Sequence, residues 1–411
     1  IGNTFRPITD RLRVSREKLA YIVDSTAAPV VTIVFVSTWV GFEMSQIEIG
    51  LRIAAEQAAD PALAEALGSA SPFTLFLGSI PYLFYPILAL LMVALVIGFQ
   101  RDFGPMHAAE TRARAGRGLY REGSQLLVDT ESGGLDAKEG VPLRWYNAAI
   151  PVLTVVFVVL FGLWFDGRAQ VGPATLWETF GAANAFTAIL WGSLAGCIVA
   201  IGLALAQRIL TLKEALEGWV SGARAMTMAF VILALAWSLG AVTEAIGTAP
   251  YLTLILEGNL APELLPFITF VTAAVISFCT GTSWATMTIL LPLVVPLIVT
   301  LGGAAGFDGT GGAPLLVETI AAVLAGSIFG DHCSPISDTT VLSSMASACD
   351  HMDHVRTQLP YALAVGVLAT LVGHLATSYG LPLIATYLIG AAVLVSLVRF
   401  VGKPAQTSIR I

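Results

Sequence analysis

Residues 319–340 have the sequence TIAAVLAGSIFGDHCSPISDTT, in which an apolar stretch runs directly into two carboxylates, an imidazole and several hydroxyls. Only 12 residues, none of them charged, separate Glu318 from Asp331, fewer than the about 20 that a membrane-spanning helix needs. We therefore expect this segment to enter a bilayer and stop there, with Asp331 and Asp338 at membrane depth. An ionisable group at that depth costs about 2.5–3.5 kcal/mol on the mildest scale, so both aspartates are candidates for an ion or proton pathway.

The composition around this stretch is that of a membrane protein. Of 411 residues, 56% are hydrophobic and 12% are charged, which excludes an ordinary soluble globular protein. Chargeless runs predict the membrane segments, which are 25–42, 71–100, 145–165, 179–207, 225–243, 264–307, 314–330 and 357–398. The runs 264–307 and 357–398 are each long enough for two segments, giving about ten in all. Because unpaired strands cannot satisfy their backbone in lipid, the fold class is an all-α polytopic membrane protein.

The basic residues give an independent orientation, because Lys and Arg collect on the cytoplasmic side of membrane proteins. With the first residues inside, 19 of the 21 basic residues fall in predicted inner segments, and only Arg52 and Arg168 fall outside. Both ends of the chain are then cytoplasmic, in a cell membrane of the bacterial inner-membrane type. This orientation requires 264–307 to be a hairpin that enters from outside and returns there.

We expect three parts along the chain. Residues 1–100 are a remnant of a first transmembrane repeat, 101–144 are a polar cytoplasmic linker, and 145–411 are a second transmembrane bundle that carries the ion-site motifs. The basic cluster of the linker is explained as a topology signal that marks the cytoplasmic side, and contact with anionic lipid head groups is the alternative.

A second group of polar residues interrupts the chargeless run 264–307 at its middle. Thr280, Gly281, Thr282 and Ser283 are consecutive there. Broken helices expose carbonyl and hydroxyl oxygens, which suit an alkali cation once a carboxylate supplies the charge. The alternative is that the hydroxyls bond to their own helix and that the glycine permits close packing.

Weak internal symmetry points the same way. Residues 6–10 (RPITD) resemble 334–338 (SPISD), and 37–39 (STW) resemble 282–284 (TSW). Paired interruptions in two halves are typical of transporters with inverted repeats. Thr9, Asp10 and Asp24 are therefore secondary candidates for the site, although an ordinary helix cap also explains Asp24.

The four cysteines show no close pairing that would indicate disulfides or a zinc ribbon. His332, Cys333, His351 and His354 are types that bind zinc, and an intramembrane metallo-enzyme is a remote alternative. Their spacing fits no standard ligand pattern, and His351 and His354 lie in an acidic segment expected to face the cytoplasm. We predict no enzyme activity and no resident cofactor, and we keep His332 as a secondary candidate for the ion pathway.

These motifs carry a family resemblance. The run 330–340 followed by 342–344 (LSS), with 280–284 upstream and 9–11 (TDR) and 15–19 (SREKL) near the start, resembles the NhaC-type sodium/proton antiporter family over nearly the whole chain. The resemblance implies a secondary transporter with inverted repeats and discontinuous helices that exchanges external protons for internal sodium. It also implies helices that precede the position of Ile1, so we expect the sequence to be a piece of a longer protein.

The predicted mechanism uses one carboxylate that holds either Na+ or H+. Asp338 is the first choice, because Pro335 breaks the helix just before it, and Asp331 is the second. The neutral oxygens expected around them belong to Ser334, Ser337, Thr339, Thr340, Thr280, Thr282 and Ser283. The metal at this site is transported Na+, bound by Asp338, Thr280 and Thr282.

The expected partners are Na+, H+ and the lipid bilayer, with no nucleic acid, and a homodimer is the oligomer considered. A Na+- or H+-coupled carrier of a small organic acid or amino acid shares all of these features. A binding Arg facing the cavity would favour that carrier, and Arg6 is the nearest candidate.

Overall fold

The computed structural model describes residues 2–34, 38–124, 144–173, 176, 179–180, 183–225, 238, 242, 246, 260–304, 307, 309 and 313–405. They form the predicted all-α fold, and the strand pairing among them joins β1 (Arg101–Asp102) to β2 (Lys403–Pro404) in antiparallel register. The first helices are α1 (Gly2–Arg11), α2 (Arg16–Ser25), α3 (Ala28–Val31), α4 (Thr38–Gln57), α5 (Pro61–Ser69), α6 (Pro72–Ser79), α7 (Phe84–Phe99) and α8 (Gly104–Arg114). They are followed by α9 (Tyr146–Val171), α10 (Ala185–Ala206), α11 (Leu212–Ala225), α12 (Leu265–Thr280), α13 (Ser283–Thr300), α14 (Pro314–Cys333), α15 (Asp338–Ser347), α16 (His351–Ser378) and α17 (Leu383–Val401).

The membrane segments agree with the predicted class. In the described ranges, seven helices are long and apolar enough to cross a membrane, and the pair α5 and α6, bent by 84°, raises the number to eight. The predicted segment 225–243 lies almost wholly outside the described residues. Predicted segment 25–42 is not one helix, because α2 ends at Ser25 and α3 restarts after a break that precedes Pro29. Segment 71–100 is likewise divided, because a short turn at Ile80–Tyr82 follows α6 and Leu83, with the non-helical angles φ −75° and ψ 63°, separates that turn from α7.

Helix α14 is longer than the sequence suggested. It runs for 20 residues, contains both Glu318 and Asp331, and ends at Cys333. The expectation that the segment stops before Asp331 was wrong. The backbone hydrogen bonds of the helix continue past Asp331, and the helix ends only at the Ser334-Pro335 step. It is also the most buried of the candidate spans, with 83% of its apolar window inside the protein against 11% for α9.

Small residues let α14 approach α12 at backbone distance. A Cβ added at Gly326 would meet the Phe270 carbonyl and the Ala273 side chain, and one added at Gly330 would overlap the Ala274 carbonyl. In lipid, no hydrophobic driving force acts between helices, so they are held together by close packing. Small residues at such a crossing allow that packing. The α12–α14 contact therefore fixes where both helix breaks lie.

The predicted interruption of 264–307 is confirmed. Helix α12 ends at Thr280, Gly281 takes the left-handed conformation with φ +67°, and α13 begins at Ser283. Only glycine enters that conformation without a steric penalty.

The described chain divides into two compact units. Unit 1 comprises residues 1–35, 43–132 and 233–411, and unit 2 comprises 36–42 and 133–232. Within unit 2, Gly192 and Gly196 of α10 pack against Val159 and Val155 of α9. Both helices leave most of their apolar surface exposed, as expected for helices that face lipid. The three parts predicted from the sequence, and the inverted repeats, stay predictions.

A group of ion-paired residues of unit 1 lies on α2, on and after α8, at the start of α16 and at the β1–β2 pair. The ion pairs are Lys18–Asp102 (2.8 Å), Lys18–Glu110 (3.7 Å), Glu17–Arg112 (2.8 Å) and Arg121–Asp353 (3.0 Å). We call this cluster the basic face. All of its segments fall in stretches that the sequence assigns to the cytoplasm.

We predict that Gly326→Leu lowers the stability of unit 1 while Gly98→Leu does not. Overpacking of a close contact costs about 1–3 kcal/mol, whereas no atom lies within 4 Å of a Cβ at Gly98, which is an exposed helical position. The measurement is the thermal unfolding midpoint of the purified variants in detergent. Equal midpoints for the two variants would show that the α12–α14 contact is not as tight as described.

Candidate ion-binding site

The two helix breaks of unit 1 touch each other. Ser334 Oγ donates to the Phe278 carbonyl over 2.8 Å, which ties the segment after α14 to the last turn of α12. A Cβ added at Gly281 would overlap Ile336. The Thr-Gly-Thr-Ser interruption therefore lies against the Ser-Pro-Ile-Ser interruption, as the two motifs in the sequence suggested.

Asp331 occupies the last turn of α14 beside this junction and is 1% exposed. Its Oδ2 accepts a hydrogen bond from Thr339 Oγ1 at 3.0 Å, and Thr339 Oγ1 lies 2.9 Å from Ser337 Oγ. Its Oδ1 is buried with no hydrogen-bond partner among the described residues. Thr340 Oγ1 is also buried there without a hydrogen-bond partner. Half of the carboxylate is thus unsatisfied.

Asp24 is a second buried carboxylate, at the end of α2 and 1% exposed. Gln358 Nε2 donates to its Oδ2 at 2.8 Å, Ser343 Oγ lies 3.4 Å from its Oδ1, and His354 Nε2 lies 3.7 Å from its Oδ2. Helices α2, α15 and α16 therefore meet at this group. Neither Asp24 nor Asp331 has a Lys or Arg within ion-pair distance in the part of the chain that is described.

His332 joins the two carboxylates. Tyr85 OH lies 2.6 Å from its Nδ1 and Ser25 Oγ lies 3.0 Å from its Nε2. The His332 carbonyl accepts a hydrogen bond from Gln358 Nε2, the same group that donates to Asp24. One amide therefore connects α14 to α2.

The remaining predicted residues lie at different depths. Asp338 begins α15 as an exposed residue, and its Oδ1 accepts the Thr339 backbone N–H at 2.8 Å. Thr280 is exposed and donates to the Ile276 carbonyl of its own helix, Thr282 caps α13, and Ser283 is buried. Thr282 and Ser283 directly follow Gly281 at the junction.

The candidates near the start of the chain divide in the same way. Thr9 Oγ1 bonds to carbonyls of its own helix. Asp10 forms an ion pair with Arg16 at 3.0 Å. Of the three early candidates, Asp24 alone is buried among the groups described above.

Sequence reasoning missed several of these groups. Tyr85 and Gln358 gave no motif signal, because their partners are remote along the chain. His354 was assigned to a cytoplasm-facing segment, but it is fully buried and contacts Gln358 Oε1 at 2.8 Å. Its four-residue spacing to Gln358 on one helix face was the available signal.

The candidate zinc ligands do not gather around one point, although His351 Nδ1 and His354 Nδ1 both contact Ser344 Oγ, at 3.1 and 2.8 Å. His351 Nε2 lies 2.6 Å from the Pro335 carbonyl, whereas His332 contacts Tyr85 and Ser25. Across the described ranges, no group of three or more His, Cys, Asp or Glu side chains is arranged to hold a metal ion. The geometry gives no support to the metallo-enzyme alternative.

The buried bases near the site are neutralised by acids. Lys18 is paired with Asp102 and Glu110, and Arg16 with Asp10. Burial raises the pKa of Glu17 at the start of α2, and the neighbouring Arg112 guanidinium acts against that rise. The surroundings of Asp24 and Asp331 are therefore left with an excess of carboxylates.

Comparison with known proteins identifies the family. The sequence profile of the Na+/H+ antiporter family matches residues 30–378. The chain belongs to the Na+/H+ antiporter family. This confirms the family resemblance, with which the NhaC type is consistent, and makes the protein a multi-pass membrane transporter.

Individual relatives agree with this membership. The chain is 32% identical over 383 residues to an uncharacterized protein of Haemophilus influenzae, an alignment that covers 92% of this chain and 67% of the relative. It is 34% identical over 109 residues to an uncharacterized Na(+)/H(+) antiporter of the same organism, covering 26% and 21% of the two chains. It is 36% identical over 117 residues to the malate-2H(+)/Na(+)-lactate antiporter of Bacillus subtilis, covering 27% and 22%. No solved structure shows significant similarity to this antiporter-family chain.

We predict that Gln358→Leu destabilises unit 1. It removes the donor shared by Asp24 and the His332 carbonyl, and each buried acceptor left without a partner costs about 1–3 kcal/mol. The check is the unfolding midpoint in detergent, with Gln170→Leu as the control, because Gln170 is exposed and bonds to Asp166 on its own helix. A midpoint for Gln358→Leu no lower than that of the control would show that the Gln358 amide does not stabilise the contact between Asp24 and the His332 carbonyl.

Proposed function

We propose that the chain is a Na+/H+ antiporter in which Na+ and H+ compete for the Asp331 carboxylate. The observation that carries this proposal is the unpartnered Oδ1 of Asp331 inside unit 1. A buried ionised oxygen without a partner costs several kcal/mol, so the group must hold a proton or a cation. A carboxylate that is stable only when so occupied is what exchange of the two ions requires.

The neighbouring groups suit Na+. Neutral oxygens surround the Asp331 carboxylate, from Ser337 just before α15 and from Thr339 and Thr340 in the first turn of α15. Hard cations prefer oxygen ligands of this kind. Ser283 and the backbone at Gly281 lie at the adjoining break and are proposed to complete the shell from the other side.

Charge balance also favours a cation. Asp24 and Asp338 act electrostatically on Asp331, and the buried bases Arg16 and Lys18 are already paired. Adding one positive charge relieves repulsion among the carboxylates, because like charges disfavour joint ionisation. A carboxylate cargo would need a free basic partner, and none lies within ion-pair distance of Asp24 or Asp331 in the described ranges.

The roles of the two aspartates follow from their exposure. Asp331 is enclosed and Asp338 is exposed, so we propose Asp331 as the exchanging group and Asp338 as a carboxylate at the mouth that attracts Na+. This reverses the order suggested by the sequence, which had no measure of depth within the break. Alternating access then consists of rocking around the fixed junction of the two breaks.

The proposed orientation places the basic face in the cytoplasm. The β1–β2 pair and the ion pairs of α2, α8 and α16 bring stretches that are predicted to be cytoplasmic to one side of unit 1. Lys and Arg mark that side in membrane proteins. Both ends of this chain are then cytoplasmic.

The test is a proton-gradient assay in proteoliposomes with a pH-sensitive dye. We predict that adding Na+ without any organic solute collapses an imposed gradient, and that Asp331→Asn abolishes the response because an amide cannot exchange a proton. Asp338→Asn should retain exchange with a weaker apparent affinity for Na+. Asp60→Asn, at the exposed cap of α5, is the control and should match the unsubstituted protein.

Two outcomes would contradict the proposal. An undiminished response in Asp331→Asn would show that Asp331 is not the group that exchanges Na+ and H+. A response that appears only after malate or lactate is added would favour a solute carrier of the kind named for the Bacillus subtilis relative.

A further inference from the structure

Unit 1 holds a second buried acid–imidazole cluster that the proposed exchange site does not use. Glu318 near the start of α14 is 2% exposed, and His374 of α16 is fully buried. His374 Nδ1 lies 3.8 Å from Glu318 Oε1, and Ser378 Oγ lies 3.1 Å from the same oxygen. We call these three residues the outer cluster.

Ser378 lies between the two members of the pair and contacts both of them. Ser378 Oγ also lies 2.6 Å from the His374 carbonyl. A hydroxyl has one proton and a carbonyl oxygen can only accept, so Ser378 donates to the carbonyl. The longer 3.1 Å contact to Glu318 Oε1 shares that proton when the carboxyl is ionised, and it can accept from the carboxyl when Glu318 is protonated, so Ser378 suits either state.

His374 is held without a hydrogen bond. Neither ring nitrogen has a partner among the described residues, and the rings of Phe84 and Phe270 lie 5.0 Å from the imidazole on two sides. An unpaired buried nitrogen costs about 1–3 kcal/mol, and a shift of less than 1 Å would bring Nδ1 into hydrogen-bond distance of Glu318. The imidazole is therefore poised beside an acid with which it can share a proton.

The surroundings limit the charge that the pair can carry. The titratable groups on neighbouring elements are Tyr82, on which the Glu318 charge acts, and Tyr387, whose ring packs against Phe84 and whose hydroxyl donates to the Pro81 carbonyl. No Lys or Arg lies within ion-pair distance of Glu318 in the described ranges. When the pair holds one proton, on Glu318 or on His374, its net charge is zero. When that proton leaves, the Glu318 carboxylate is a buried charge without compensation, and such a charge costs several kcal/mol.

The backbone places the outer cluster far from the basic face. His374 lies in the π-helical segment Ala369–Leu375, a rare geometry that is frequent at functional sites. It follows Asp353, which pairs with Arg121 on the basic face, by 21 residues, or about 30 Å of helix. That is the thickness of the hydrocarbon core. Glu318 precedes Asp331 on α14 by 13 residues, or about 20 Å.

We propose that Glu318 and His374 form a second proton-binding site, which holds one proton per pair and passes protons between the side opposite the basic face and the interior. The inference rests on the proposed antiport function. The pair is a proton site and not a Na+ site, because Phe84 and Phe270 enclose the imidazole and Ser378 is the one neutral oxygen described beside the carboxylate.

The experiment compares two fluxes in proteoliposomes. Sodium-22 exchange against unlabelled Na+ needs only the Asp331 site, whereas Na+-driven proton movement needs proton delivery as well. We expect Glu318→Gln and His374→Gln to retain sodium-22 exchange and to slow proton movement at least tenfold. His107→Gln, on α8 near the basic face, is the control and should change neither flux. Asp331→Asn should lose both.

A spectroscopic measurement gives a readout apart from transport. Infrared difference spectra of the purified protein between acid and alkaline pH should contain a protonated-carboxyl band that is missing in Glu318→Gln. Variants that keep the unfolding midpoint and both fluxes would overturn the proposal, as would loss of sodium-22 exchange in these folded variants, which would assign the pair to Na+ binding. An unsubstituted protein with no Na+-driven proton movement would instead contradict the antiport function itself.

Discussion

The structure depends on one constraint, which is that a carboxylate buried inside a membrane protein cannot remain ionised and unpaired. Asp331 is enclosed at the point where α14 ends, and among the residues that the structure describes only one of its oxygens has a hydrogen-bond donor. The polar residues around it are neutral or acidic. The enclosed oxygen must therefore be occupied by a proton or by a small cation, and the function that we propose uses that requirement.

The fold supplies the enclosure through two close helix contacts. Gly326 and Gly330 bring α14 against the backbone of α12, and Gly281 lets the α12–α13 break lie against Ile336. Each approach is available because a glycine has no Cβ. The segment that follows α14 then turns back, so that Thr339 reaches Asp331 from the start of α15.

Part of this arrangement could be predicted from the sequence. The break at Gly281, the break near Pro335 and the all-α membrane class follow from local signals, since glycine, proline and the absence of charge act over a few residues. The extent to which each carboxylate is buried could not be predicted from the sequence. Asp331 and Asp338 are seven positions apart in one motif, and which of them is enclosed depends on α14 continuing to Cys333 and on packing against α2 and α16.

The contacts made by Tyr85 and Gln358 were not predictable for a related reason. Tyr85 meets His332 across 247 positions and Gln358 meets Asp24 across 334. A single sequence has no local pattern that joins such positions. The same holds for Glu318 and His374, each of which is an isolated polar residue in an apolar helix until the fold brings them together.

The most direct test of the central claim is the number of protons released when Na+ binds. Isothermal titration calorimetry of the purified protein with NaCl, repeated in buffers of different ionisation enthalpy, gives this number without any transport assay. If the two ions compete for Asp331, Na+ binding releases up to one proton, and its apparent affinity falls as the pH is lowered through the range in which the carboxylate takes up its proton. Na+ binding with no proton release at any pH would contradict the account.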